Sequence, residues 1–151
     1  MSSFKLRNIF LPCLLVVVAA CGPAEQDAES NNAAAQVESL EGSNWQLVQL
    51  TVPSGFAFVP EDHSKYVLNF RSESRLTGTS DCNSISGSWL QADTELRFDP
   101  FVATTSLCPP GSLHNNLALY LRDVSALSFR DGHMILTTPT TGIEIEFESR
   151  D

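Results

Sequence analysis

The stretch Ile143-Glu144-Ile145-Glu146-Phe147-Glu148 alternates apolar and acidic residues without a break. Successive side chains of an extended strand point to opposite faces, so this segment buries one face and wets the other. A helix would scatter the same residues around its circumference. Leu127-Ser128-Phe129, Asp131-Gly132, Met134 to Thr138 and Thr141-Gly142 lead into it. Asp-Gly between alternating segments accepts the positive φ angles of a tight turn, which predicts an antiparallel hairpin there. The same period recurs upstream, with Trp45, Leu47 and Gln49 opposing Gln46, Val48 and Leu50, and Tyr66, Leu68 and Phe70 opposing Val67, Asn69 and Arg71. Further strands are expected at Arg75 to Ser80, Ile85 to Gln91, Glu95 to Phe98 and Val102 to Leu107, separated by Gly, Asp, Asn and Pro. The expected sheet is antiparallel and short-stranded.

One stretch departs from this period. Leu113, Leu117, Leu121 and Val124 recur at three to four residues and follow Ser112, a residue type suited to an N-cap. This predicts a single helix from Leu113 to Asp123 whose apolar stripe closes one end or face of a curled sheet.

The N-terminal segment has a different character. Lys5 and Arg7 precede the apolar run Ile9 to Val18, followed by Ala19 and Ala20, the order of a secretory signal. The run is closed at Cys21 by Gly22 and Pro23, which makes it too short for a permanent membrane span. Val18-Ala19-Ala20-Cys21 resembles the lipobox of bacterial lipoproteins, in which the cysteine is lipidated and becomes the N-terminus. Residues 1–20 are therefore expected to be a lipoprotein signal peptide and Cys21 the lipidation site; the alternative is an ordinary secretory signal with an incidental cysteine. Residues 21–39 hold no aromatic side chain and read as a disordered tether, leaving 40–149 as one folded domain. The expected location is the cell envelope, with the lipid in the membrane, and Gly22 after the cysteine favours the outer one.

Lys5 and Arg7 leave with the signal, so 18 acidic side chains face 7 basic ones and the formal charge is −11. Such a surface repels phosphate backbones, which argues against nucleic acid as a partner. The remaining cysteines are Cys82, Cys108 and, within the signal, Cys13. Two thiols in one small domain of an oxidising compartment usually pair. A Cys82–Cys108 disulfide would close a loop of roughly 25 residues and contribute about 3 kcal/mol. Two buried free thiols or a redox pair are the alternatives, although the C-x-x-C spacing of redox pairs is absent. His63, His114 and His133 lie far apart and read as surface or loop residues, with no paired metal-ligand spacing. Gly78-Thr79-Ser80-Asp81-Cys82 lacks the second glycine of a nucleophile elbow. Asp81, Asp93, Glu95 and Asp99 fall in turn regions without a calcium-loop pattern. No catalytic set, metal or cofactor is expected. Both Trp45 and Trp89 read as core.

The order of these features resembles the META-domain family of small bacterial envelope proteins. Leu40, Gly42, Trp45 and Leu47 match its opening motif. Gly78, Asp81-Cys82-Asn83, Gly87 and Trp89 are similar to its middle signature, and Thr104 with Cys108-Pro109 to the motif before its helix. Asp81 stands where the family usually has glycine, Trp89 where it has tyrosine, and His114 and Asn115 where it has an early helical glutamate. The resemblance implies a mainly β (α+β) fold, a single antiparallel, partly barrel-like sheet of about eight short strands with one packed α-helix. It implies no established catalytic activity. The expected role is a non-enzymatic binding or assembly module in envelope maintenance or stress, engaging an envelope protein partner. A carrier holding an apolar ligand or lipopeptide in a sheet–helix cavity is the alternative.

Overall fold

The computed structural model describes residues 38–150. The expected signal peptide, the lipidation at Cys21 and nearly all of the tether lie outside the described residues. Nine strands and one helix follow in order: β1 Asn44–Thr51, β2 Ala57–Phe58, β3 Tyr66–Arg71, β4 Arg75–Ser80, β5 Asn83–Ala92, β6 Glu95–Ala103, α1 His114–Arg122, β7 Ala126–Arg130, β8 His133–Thr138 and β9 Ile143–Ser149. All pairings are antiparallel, and β1 pairs with both β3 and β9, so eight strands close into a barrel. Strand β2 adds two rungs to the end of β1. Closure removes most of the exposed sheet edge that an open sheet of this size would carry, although β6 and β7 share only one paired position.

Alternation survives folding in β9, but in β1 a β-bulge between Leu47 and Gln49 brings Leu50, expected on the opposite face, into the core with Trp45 and Leu47. In β3, Val67 is buried as well as Tyr66 and Leu68. Ile143, Ile145 and Phe147 enter the core, while Glu144, Glu146 and Glu148 face outward. Asp131 and Gly132 both take positive φ, 54° and 83°, at the β7–β8 hairpin. Leu47, Leu68, Phe70, Leu96, Leu136 and Ile145 are fully buried, each contributing on the order of 1.5–3 kcal/mol by leaving water. Both tryptophans are buried. Trp89 meets Phe70 edge-on at 5.5 Å and donates its indole N–H to the Arg71 carbonyl at 3.3 Å.

Two further elements, β6 and α1, differ from the sequence-based expectation in their bounds. The segments Glu95 to Phe98 and Val102 to Leu107 are expected as separate strands, yet Glu95–Ala103 is one strand and residues 104–107 lie outside it. The reason is a β-bulge, in which Ser88 of β5 opposes both Asp99 and Pro100 of β6. Proline cannot donate to a ladder, and the bulge takes it out of register without ending the strand. Gly87 permits the close approach there, because a Cβ at that position would overlap the Pro100 carbonyl oxygen.

Helix α1 starts one residue later than expected, with Leu113 as N-cap and no side-chain cap bond. Ser112 still contributes: its hydroxyl accepts from the His114 N–H at 3.2 Å. The Leu113 N–H is satisfied by the Tyr66 hydroxyl at 2.9 Å, which fixes the helix start to β3. Leu117 and Leu121 then enter the core, and α1 packs against β6 and β4. Strands β6 and β7 share a single paired position, Glu95 with Ala126.

Candidate functional site

At one end of the barrel the chain is clasped. Cys82 and Cys108 form a disulfide across a separation of 26 residues, with Cα atoms 5.5 Å apart. Beside it, Asn83 is buried and uses its whole amide. Its Oδ1 accepts from the Ser106 N–H at 2.7 Å and the Thr104 hydroxyl at 2.8 Å. Its Nδ2 donates to the Ser106 carbonyl at 3.0 Å and to Cys108 Sγ at 3.1 Å. Thr104 in turn accepts the Ser84 N–H at 3.0 Å. One side chain thus ties the exposed 104–108 loop to the first residues of β5, and the disulfide repeats the tie covalently.

The same end holds a buried polar pair. His114 Nδ1 lies 3.0 Å from Ser80 Oγ, and both residues are buried. His114 is therefore not the surface or loop residue expected from sequence. It occupies the first position of α1, where the turn that brings Leu113 to Tyr66 carries it inward against the end of β4. Ser80 has no solvent exposure. Asp81 takes φ 55°, a left-handed conformation that aspartate tolerates better than most residues. Its N–H bonds the Lys65 carbonyl at 2.9 Å.

The other two histidines lie on the outer wall with the β9 glutamates. Gln49 donates to Glu146 at 2.7 Å and Gln46 to Glu148 at 2.7 Å, while His133 Nδ1 lies 2.7 Å from the Glu146 carboxylate. Partial burial pushes the Glu146 carboxyl up, but hydrogen bonds from His133 and Gln49, with the His133 and Arg130 charges, more than offset it. Its pKa lies below the ordinary glutamate value. No group of three or more His, Cys, Asp or Glu side chains suited to a metal ion lies together among the described residues. Nor, among them, is any helix long and apolar enough to cross a membrane.

The opposite end is open. A cleft of roughly 730 Å³ lies between the segment Glu38–Ser43 and β7, with Trp45 at its base and Thr94, Ser128 and Phe129 on the far side. Gln91 holds the near wall like a neighbouring strand, accepting the Leu40 N–H and donating to the Glu38 carbonyl, both at 3.1 Å. Ser43 turns that wall by donating to the Leu40 carbonyl at 2.6 Å, and accepts the Trp45 indole N–H at 2.7 Å. Phe129 packs on the Trp45 ring with centroids 5.8 Å apart, yet is 42% exposed, a large apolar surface to leave in water. Sequence reading did not single out this cleft. Its walls come from residues 38–45, 94 and 128–129, and each aromatic taken alone fits a core strand. Phe129 shares a face with the buried Leu127, but β7 has by then run past the start of β6.

The fold and its clasp define a small closed antiparallel barrel, plugged by one helix and locked by one disulfide. The model of the META domain family matches residues 38–150, and the chain belongs to that family. No curated protein matches it. Among solved structures, a protein from Burkholderia xenovorans determined by NMR is similar with a TM-score of 0.62 at 20% identity, over 74% of this chain and 83% of that one. A DUF4847 family protein from Bacteroides vulgatus is similar with a TM-score of 0.53 at 14% identity, over 73% of this chain and 95% of that one. At these identities the likeness is one of fold. Four of the residues that carry the family resemblance are architectural here: Asn83 and Thr104 build the clasp, while Gly78 and Gly87 lie where a Cβ would overlap a neighbouring strand's carbonyl oxygen.

Proposed function

We propose that this chain is a non-enzymatic, lipid-anchored envelope protein that acts as a binding or assembly module through the open-end cleft. The observation that carries the reading is the exposed Phe129, packed on Trp45, lining an apolar cleft whose near wall is fixed by hydrogen bonds. A preformed concavity with apolar walls and a polar rim is the usual form of a recognition site. Cys21 supplies the membrane attachment, because several acyl chains at about 0.8 kcal/mol per buried methylene hold a protein at a bilayer indefinitely. An apolar small molecule would have to use this cleft also. The space between sheet and helix, where the carrier reading places a ligand, is taken by Leu117 and Leu121 with no solvent exposure.

Two comparisons test the proposal. A Cys21→Ala variant should move from the membrane to the soluble fraction, and continued sedimentation with membranes would refute the anchor. Crosslinked membranes should yield a reproducible protein partner with the native chain and a reduced yield with Phe129→Ala. An equal yield from both would refute the cleft as the site. Retained lipid without any protein partner, read by native mass spectrometry, would decide for the carrier.

A further inference from the structure

The cleft has a second property besides its apolar lining: one wall is an unpaired strand edge. Strand β7 pairs with β8 along its whole length, from Ala126 opposite Thr137 to Arg130 opposite His133. On its other side, β7 meets β6 only at Ala126 and Glu95, flanked by the Leu127 N–H bonding the Thr94 carbonyl at 2.7 Å. Backbone groups of a strand point alternately to its two sides, so those of Phe129 point the same way as those of Leu127, away from β8. Among the described residues no strand pairs with β7 there, because β5 and β6 have already turned at 93–94. The N–H and C=O of Phe129 therefore face the cleft.

From this edge we infer that the cleft binds an extended peptide, which adds as a strand along β7 and lays one large apolar side chain against the exposed side of the packed Trp45–Phe129 pair. The inference rests on the binding-module reading and specifies its ligand. Main-chain pairing supplies affinity in such a mode, and the side-chain pocket supplies selectivity. Charge narrows the class further. Glu38 and Glu41 line the near wall, and Arg130, the cation next to Phe129 on β7, is held by Glu144 at 3.4 Å. The rim is left acidic on a chain of formal charge −9. A peptide with lysine or arginine beside its apolar anchor complements it.

The test is selection from a random peptide library on the purified full chain, followed by amide chemical-shift mapping and affinity measurement with the selected peptides. Recovered peptides should carry an aromatic or large aliphatic residue with neighbouring basic residues, and should shift the Phe129 amide. Phe129→Ala and Phe129→Pro both remove the ring, but only the proline variant also removes the N–H. That N–H is not used within the barrel, and proline is tolerated on an edge. Phe129→Pro should therefore bind roughly tenfold more weakly than Phe129→Ala, the worth of one backbone hydrogen bond. Equal affinities for the two variants, at unchanged melting temperature, would overturn strand addition while leaving the cleft as a binding site. Peptides that bind without perturbing Phe129 or Trp45, or a library that yields none, would overturn it too. If the apolar dye anilinonaphthalene sulfonate also failed to enter the cleft, the binding-module reading itself would fall.

Discussion

Removing the disulfide with a Cys82→Ala, Cys108→Ala double substitution tests how the clasp divides its work. The bond spans 26 residues. Releasing a loop of that size returns to the unfolded chain an entropy equivalent to about 3.5 kcal/mol at 25 °C in the loop-closure model. For a domain of about 110 residues, with an unfolding entropy near 0.23 kcal/mol/K, the melting temperature should fall by about 15 °C. The folded end should nevertheless keep its shape, because Asn83 holds Thr104 and Ser106 with bonds of 2.7–3.0 Å independent of the sulfurs. Thermal melts of the native chain and the double variant, with amide shifts of residues 104–108 recorded in both, measure the two effects separately. A loss under about 1 kcal/mol would refute the loop-entropy argument. Dispersed shifts collapsing in residues 104–108 would refute the claim that Asn83 suffices to hold the loop. Labelling the unfolded, unreduced protein should find neither Cys82 nor Cys108 reactive.

The Glu146 carboxyl titrates lower in the folded state than in the unfolded chain, so its contribution to stability is present above about pH 4.5 and fades as pH falls through the folded value. Glu146→Gln should flatten the loss of melting temperature as pH falls below about 4.5, and an unchanged acid limb would refute the assignment. His114→Phe should cost about 1–3 kcal/mol in urea denaturation by leaving the buried Ser80 hydroxyl without its partner; no change would mean the pair is dispensable. Gly87→Ala should destabilise the domain by more than the half to one kcal/mol that alanine usually gains over glycine in a strand, since its Cβ meets the Pro100 carbonyl. A stabilised Gly87→Ala protein would show that the bulge can relax.

The family resemblance shows why some positions were legible and others were not. Cys82, Cys108, Asn83 and Thr104 could be noticed in the sequence, and the disulfide is expected from the thiol count together with the oxidising compartment that the N-terminal segment suggests. That Asn83 is the hub of the clasp could not be seen, because the four bonds that tie the loop run to atoms 21 to 25 residues away, whose positions the fold sets. His114 misled for the same reason. A histidine at the start of a helix reads as exposed until Tyr66 and Ser80, more than thirty residues earlier, are brought beneath it.

The period of two in Ile143–Glu148, the Asp131-Gly132 turn and the three-to-four spacing of Leu113, Leu117 and Leu121 are local properties, set by where consecutive side chains must point, and they determined a short-stranded antiparallel sheet with one helix. Closure of that sheet through β1 and β9, the bulge that carries Pro100 inside a continuous β6, and the free edge of β7 beside Trp45 are relations between segments distant in sequence. Only the tertiary structure decided them, because register and shear are settled when all eight strands must satisfy one another at once.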